Sequence, residues 1–404
     1  MIWTIAWRNV WRNKKRSAII ISAIIFGLWA GIISVGITLG MMQQMVDSAI
    51  ASSLSHIQIH QPGFLEHKEI SLTIAEGSTV LQEAEAFSGI KAASGRAVIS
   101  GMASTTQSAA GVEIYGIIPE KEKAVTCISQ KIQTGTYFDS DKRNPLVIGR
   151  KLADRLEVKI GSKVVLTAQA RDSTISAGAF RIVGIYKTES SVFDEISVFA
   201  EQQDVDKIFG LEGQIHEIAV LVENSDEVDS VSVKLSALLP QLQVQSWKQL
   251  SKILASYVEM GIQMLDIFMI LILLTLIFGI TNTLLMGVVE RMRELGVVLA
   301  LGMNHRKVFS LVLLESVMLS LVGGVIGVIL GIISIEIIAK YGIDLALFSE
   351  GLAEFGISQV TYPYLPVSQY PKIILMVVAT AVIAAVFPGI KALRLNPIQA
   401  IRTY

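Results

Sequence analysis

The chain has 404 residues, 52% of them hydrophobic and only 17% charged, with a formal net charge of −1 and a mean hydropathy of +0.56. Soluble globular domains average roughly 25% charged residues, so this composition excludes a typical soluble enzyme, a disordered chain and a nucleic-acid-binding protein. The charge is also polarised: segments 1–17, 287–307 and 389–404 hold 12 Lys and Arg against 2 Asp and Glu, whereas 42–262 holds 20 against 27.

Residues 1–16 read as an amphipathic helix. Trp3, Trp7 and Trp11 recur at i, i+4 and i+8, and Arg8, Arg12 and Lys15 mark another face. Indole favours the headgroup region and Arg favours anionic lipid, so Trp3, Trp7, Trp11, Arg8 and Arg12 are expected to anchor an elbow helix on the membrane. Residues 17–42 form a first span, uncharged from Ala18 to Met42. Its basic-then-apolar start is similar to a signal peptide. The run is too long and lacks a small-residue cleavage site, so it reads as a retained helix. Ala23, Gly27 and Gly31 at four-residue spacing offer a surface for close helix packing, either within one bundle or against a second copy.

Segment 43–262 reads as a mixed α/β domain hung on two stalk helices. Strands are expected at Ser55–His60, Val112–Ile118, Lys163–Gln169, Phe180–Ile185, Ser197–Phe199 and Glu217–Val222. Helices are expected at Thr79–Phe87, Leu152–Leu156, Gln202–Phe209 and Asp226–Leu239. A division into two subdomains is expected, 55–118 with 197–246, and 119–196 inserted between them. Cys127, the single cysteine, reads as a small buried hydrophobe. His56 and His60 lack a neighbouring carboxylate or thiol in sequence and are a poor metal signal.

A second span follows at 263–289, then a loop at 290–307 containing Glu290, Arg291, Arg293, Glu294, Leu295 and Gly296, with Ala300, Leu301 and Gly302 beyond. On pattern alone this is either a short amphipathic helix or a solvated basic loop. The third span, 308–335, is interrupted only by Glu315, whose insertion cost directs it toward protein or headgroups. Gly323, Gly327 and Gly331 repeat the small-residue spacing. A short extracytoplasmic loop (336–371), a fourth span (372–388) framed by Tyr370 and Pro388, and a tail (389–404) complete the chain. The three basic groups fall on one side of a four-span topology. The positive-inside rule makes that side cytoplasmic, with both termini, and places 43–262 outside. The fold class is an α-helical membrane protein with four transmembrane helices and a large mixed α/β extracytoplasmic domain inserted between helices 1 and 2. The chain carries no G-x-x-x-x-G-K-[ST], H-E-x-x-H, C-x-x-C or G-x-S-x-G motif, so no catalytic residue, metal or cofactor of its own is expected.

The run VVERMRELGVVLALGMNHRKVFSLVLLESVMLSLVGGVIGVILG (288–331) resembles the permease domain shared by MacB, FtsX and the lipoprotein-releasing permeases LolC and LolE. That family's pattern is R-x-x-E-[IL]-G, then A-L-G, a basic residue, an in-span Glu and a Gly-rich third span. The tail from Arg394 through Pro397 and Ala400 to Arg402 resembles the family's R-x-x-P-x-x-A-[IL]-R ending. The resemblance implies a mechanotransmission-type ABC transporter in a bacterial inner membrane. Two permease chains, identical or different, would pair with a cytoplasmic ATPase dimer that binds the ATP. Glu290, Arg291, Arg293, Glu294, Leu295, Gly296, Ala300, Leu301 and Gly302 would form the coupling segment seated in the ATPase. The length is nearest the LolC/LolE group, which implies release of lipoproteins to a periplasmic carrier. A MacB-like efflux permease with an adaptor and outer-membrane channel, and an FtsX-like regulator of a wall hydrolase, are the alternatives. One departure stands out: the place of the LolC-type Pro-containing hook is Gln169–Gly178, which is short and has no proline.

Overall fold

The computed structural model describes residues 2–139 and 142–393. The chain opens with α1 (Ile2–Arg12) and α2 (Lys14–Ala49), which continues as a π-helical turn at Ile50–Leu54. Then come β1 (Ile57–His60), α3 (Phe64–His67), α4 (Gly77–Glu85), β2 (Ile90–Ser104), β3 (Ala109–Ile117), α5 (Pro119–Val125), β4 (Ile132–Gly135) and β5 (Pro145–Gly149). The next run is α6 (Arg150–Arg155), β6 (Lys163–Gln169), β7 (Ile175–Tyr186), α7 (Ser191–Ile196), β8 (Ser197–Glu201), α8 (Gln202–Phe209), β9 (Glu217–Val222), α9 (Val228–Leu238) and β10 (Gln243–Ser246). Last are α10 (Trp247–Leu250), α11 (Lys252–Glu290), α12 (Met292–Ala300), α13 (His305–Tyr341), β11 (Ile343–Asp344), α14 (Ser349–Glu354), β12 (Val360–Thr361) and α15 (Gln369–Leu393). Local chemistry sets many of these ends. Ser190 caps α7 by accepting from the Phe193 N–H, Ser246 and Gln249 form a capping box on α10, and Asn304 caps α13 by accepting from the Arg306 N–H. Two compact units divide the chain: Met42–Val258 with Leu345–Gln359, and the rest.

The α/β unit is built on one sheet, in the order β10-β1-β9-β2-β3-β8-β5-β7-β4, with β6 bridging β2 and β7. Among the described residues, only β3–β8 and β5–β7 pair in parallel. Period-two alternation buries both faces. Ile99, Leu146, Ile148 and Val198 enter one core, and Val98, Val147 and Phe199 enter the other. A third core joins β1 and β9 to α4 and α9 through Ile57, Ile59, Leu81, Ile218, Val231 and Leu235. The elements of the two expected subdomains share one sheet and one core. β8 lies between β3 and β5, and Val205, Phe209 and Leu211 pack into the core of the 97–182 region. β2, the longest strand, also escaped the sequence reading, because its Ala, Ser and Gly residues carry little strand preference.

At the root of the π-turn this unit buries charge. Arg96 donates to Glu122 (2.8 and 3.2 Å), to Glu217 (2.6 Å) and to the carbonyl of Ser53 (2.9 Å). The second Glu217 oxygen lies 3.2 Å from His60 Nε2. Burial pushes the Glu217 carboxyl up, but Arg96 and His60 outweigh it and hold it below the usual range. Elsewhere, Asp194 accepts from the Thr188 N–H and hydroxyl, yet burial pushes its carboxyl up to about 6. The folded state therefore holds a proton that the unfolded chain has released, and the Asp194 contribution weakens as pH rises from about 4, the ordinary aspartate value, through 6. Asp194→Asn is expected to flatten that part of the pH profile, followed as the melting transition of this unit in the full chain.

Among the described residues, four helices are long and apolar enough to cross a membrane: α2, α11, α13 and α15. At 36, 39 and 37 residues, α2, α11 and α13 exceed the 20 or so that a bilayer's hydrocarbon requires. The buried stripe of α2 is Ile20, Ile24, Leu28 and Ile32. The α13 glycines face it: a β-carbon at Gly323 would stand 3.0 Å from the Ile24 side chain, at Gly327 3.2 Å from the Ile25 backbone, and at Gly331 2.8 Å from Ile32. Gly27 and Gly31 face Leu276 and Ile272 of α11. These contacts are internal to one chain. Ala23 departs from the expected row: it is exposed, because it lies one residue off the stripe that Ile20 and Ile24 occupy. Gly327→Leu is expected to prevent assembly of the bundle, since backbone rather than a flexible side chain fills the space. Size-exclusion profiles and protease resistance of the detergent-solubilised variant check this, and a monodisperse, wild-type-like protein would refute it.

Two further differences from the sequence reading have physical causes. α15 continues through Pro388 to Leu393 instead of stopping there. Proline cannot donate to the carbonyl four residues back, that of Ala384, and the hydroxyl of Thr281 on α11 donates to it at 3.0 Å instead. Segment 336–371 is not a plain loop: β11 and β12 pair within it, and 345–359 belongs to the α/β unit, where Phe355 meets Tyr257 edge to face at 6.5 Å.

Candidate coupling site

α11 ends at Glu290 and the chain turns at Arg291 into the two-and-a-half-turn helix α12. Gly302, at φ +95°, then reverses it toward the Asn304 cap of α13. Helical periodicity sorts the side chains. Leu299 is buried with Val288, Val308 and Val312, and Leu295 and Met303 pack against them. Gly296 is buried too. The opposite face presents Arg293, Glu294, Val297, Ala300 and Leu301, with Glu290 and Gly302 exposed at its two ends. Leu301 is 83% exposed. An apolar knob set among charges is the arrangement a protein groove recognises.

Two ion pairs tie this segment to its neighbours. Arg12, at the end of α1, meets Glu294 at 2.5 Å, both side chains being about half exposed. Arg291 reaches both Glu315 oxygens at 3.2 and 3.3 Å and donates to the Asn9 carbonyl at 3.4 Å. Glu315 and Arg291 are nearly buried, so the in-span carboxylate is neutralised by a cation from the previous loop. The sequence alone directs Glu315 toward protein or headgroups and names no partner. A helix rises 1.5 Å per residue, so Arg306 and Lys307 on the same helix are roughly 12 to 14 Å away, which leaves the loop arginines as the candidates. Ala6 and Val10 are fully buried, while Trp3, Trp7 and Trp11 are 60%, 45% and 44% exposed, with Arg8 and Arg12 exposed beside them. The tail motif from Arg394 to Arg402 lies outside the described residues.

A family model for the MacB-like periplasmic core domain matches residues 17–238, more than half of the chain, and one for the FtsX-like permease C-terminal region matches 267–397. The chain belongs to the MacB- and FtsX-like ABC transporter permeases. The permease match takes in α12, Arg291 and Glu315. Among relatives of this permease, the uncharacterized ABC transporter permease MJ1507 of Methanocaldococcus jannaschii is 27% identical, over 72% of this chain and 70% of its own. The lipoprotein-releasing system transmembrane protein LolC of Xylella fastidiosa is 24% identical, over 71% of this chain and 72% of its own. Of solved structures, the periplasmic region of MacB from Actinobacillus actinomycetemcomitans aligns at 12% identity with a TM-score of 0.37, covering 53% of the permease and 98% of that chain. The extracellular domain of the transporter YknZ aligns at 17% and 0.34, covering 47% and 99%.

Proposed function

We propose that this permease is the membrane subunit of a mechanotransmission-type ABC transporter that releases lipoproteins from a bacterial inner membrane. The reading rests first on the exposed face of α12, where Val297 and Leu301 stand exposed beside the half-exposed, Arg12-paired Glu294. Its cytoplasmic placement follows from the basic residues around it and before the first span. In this reading an ATPase dimer, encoded separately, binds the ATP and grips α12, and a second permease copy completes the assembly. ATPase closure moves α12, and the long helices α11 and α2 carry the displacement to a periplasmic α/β domain. Nothing crosses the membrane; work done on one side appears on the other.

The cargo is proposed from the LolC match, which extends over about seven-tenths of both chains. Depletion of the permease in its own host tests it. Lipoproteins are expected to accumulate in the inner membrane, and normal sorting to the outer membrane rejects the cargo while leaving the permease reading intact. One observation favours a second cargo route. The β6–β7 connection closes in a short turn, with the Ala170 N–H on the Thr174 carbonyl at 2.8 Å, and is proline-free. A MacB-like arrangement with an adaptor and outer-membrane channel fits that hairpin. Co-purification of the full-length permease from crosslinked membranes separates the two, by recovering either a carrier or an adaptor.

A further inference from the structure

Between α1, α2, α11, α12 and the start of α13 lies a cleft of about 230 Å³. Four cations border it, Arg12, Arg16, Arg291 and Lys307, but only two carboxylates, Glu294 and Glu315. Arg12 takes Glu294 and Arg291 takes Glu315. Among the described residues, Arg16 and Lys307 have no carboxylate within ion-pair distance. Glu315 attracts Arg16 at longer range and Arg291 repels it. The Arg16 Nε is buried with no hydrogen-bond partner. Its guanidinium also fills the space where position 287 would otherwise place a side chain, so a β-carbon at Gly287 would overlap it. Apart from Asn9, the remaining wall is largely apolar, including Leu284, Val288, Leu311 and Val312.

Two surplus cations beside a methyl-lined wall, at one end of a set of membrane spans, describe an amphiphilic anion. We propose that this cleft binds the phosphate of an anionic phospholipid, with Arg16 and Lys307 on the phosphate oxygens and the first acyl methylenes along the apolar wall. A guanidinium with an unsatisfied N–H calls for an oxyanion able to accept more than one bond. A free inorganic phosphate would satisfy the cations but leave the apolar wall against water, whereas a lipid satisfies both. The two cations that would hold the phosphate, Arg16 and Lys307, lie outside α12. It makes the seating of α1 and α12 depend on the charge of the adjacent leaflet.

The test is native mass spectrometry of the full-length permease in detergent, titrated with dioleoyl phosphatidylglycerol, dioleoyl phosphatidylcholine or inorganic phosphate. Wild type is expected to retain phosphatidylglycerol and not phosphatidylcholine. Arg16→Gln with Lys307→Gln is expected to weaken that retention by about fivefold or more. Lys14→Gln with Lys15→Gln removes equal charge from exposed neighbours and is expected to leave it unchanged. Gly287→Ala, which displaces the Arg16 guanidinium without altering charge, serves if the double variant does not fold, and is also expected to lose the lipid. Equal retention by wild type and the cleft variants overturns the proposal. Equal loss in the Lys14, Lys15 variant shows diffuse surface attraction and overturns it as well. Displacement of phosphatidylglycerol by millimolar inorganic phosphate makes this a free-phosphate site and overturns the lipid assignment.

Discussion

Leu301→Asp in the assembled transporter is expected to abolish ATP-driven function while the permease itself remains folded. The side chain is 83% exposed, so its replacement removes almost no packing within the chain. If α12 seats in an ATPase groove, an apolar anchor at the centre of that contact is worth about 2 kcal/mol or more, roughly a thirtyfold loss of affinity. Glu294→Lys should act in the same direction by placing a cation opposite Arg12, although the pair itself, being exposed, contributes at most about 1 kcal/mol. Leu295→Asp provides the contrast, because it drives a charge into the Val288, Leu299 and Val308 cluster and should act as a folding lesion. Reconstituted with its ATPase, the Leu301→Asp protein should show normal monodispersity and no transport-coupled hydrolysis. Full coupling in that variant would remove α12 from the mechanism.

The second large effect concerns Arg96, which is 1% exposed and is the only cation shared by Glu122 and Glu217 among the described residues. Arg96→Met leaves two buried carboxylates without their partner and is expected to cost the α/β unit about 3–5 kcal/mol. The triple change Arg96→Met, Glu122→Gln, Glu217→Gln removes all three charges together and should regain most of that stability, because the penalty comes from the uncompensated carboxylates. Denaturant midpoints of full-length protein compare the two. Equal destabilisation in both variants would show that side-chain packing, not charge pairing, is what Arg96 supplies.

Apolar runs of 15 residues or more announced the four long helices, because a bilayer imposes a length that chance rarely satisfies. Strands with branched side chains, such as Lys163–Gln169 and Glu217–Val222, were legible for the same kind of reason. What escaped notice was decided by partners distant in sequence. β2 reads as a weak Ala-Ser-Gly segment and becomes a strand because β3, β6 and β9 hydrogen-bond to it. Pro388 reads as a helix end and does not act as one, because Thr281 lies a hundred residues away in sequence and next to it in space. At the candidate coupling segment, composition showed a basic loop and the family motif marked its residues. The inward turn of Leu295 and Gly296, the outward turn of Leu301 and the Arg291–Glu315 pair all needed the helix phase that only the folded chain supplies.

The place of β1 in the sheet has a consequence for biogenesis. Its neighbours are β9 and β10, so residues 57–60 meet only strands synthesised some 160 to 190 residues later. A ribosome that has completed β2 through β8 has produced a sheet whose first strand still has two bare edges. Such edges are templates for unwanted pairing, and contacts this distant form slowly. The ten-stranded sheet therefore closes only when Ser246 has been made, six residues before α11 begins. Completion of the sheet and synthesis of the second span are consecutive events, and 345–359 joins the unit only after the third span. A pause between them is the moment at which the nascent permease is most exposed to aggregation and to quality-control proteases.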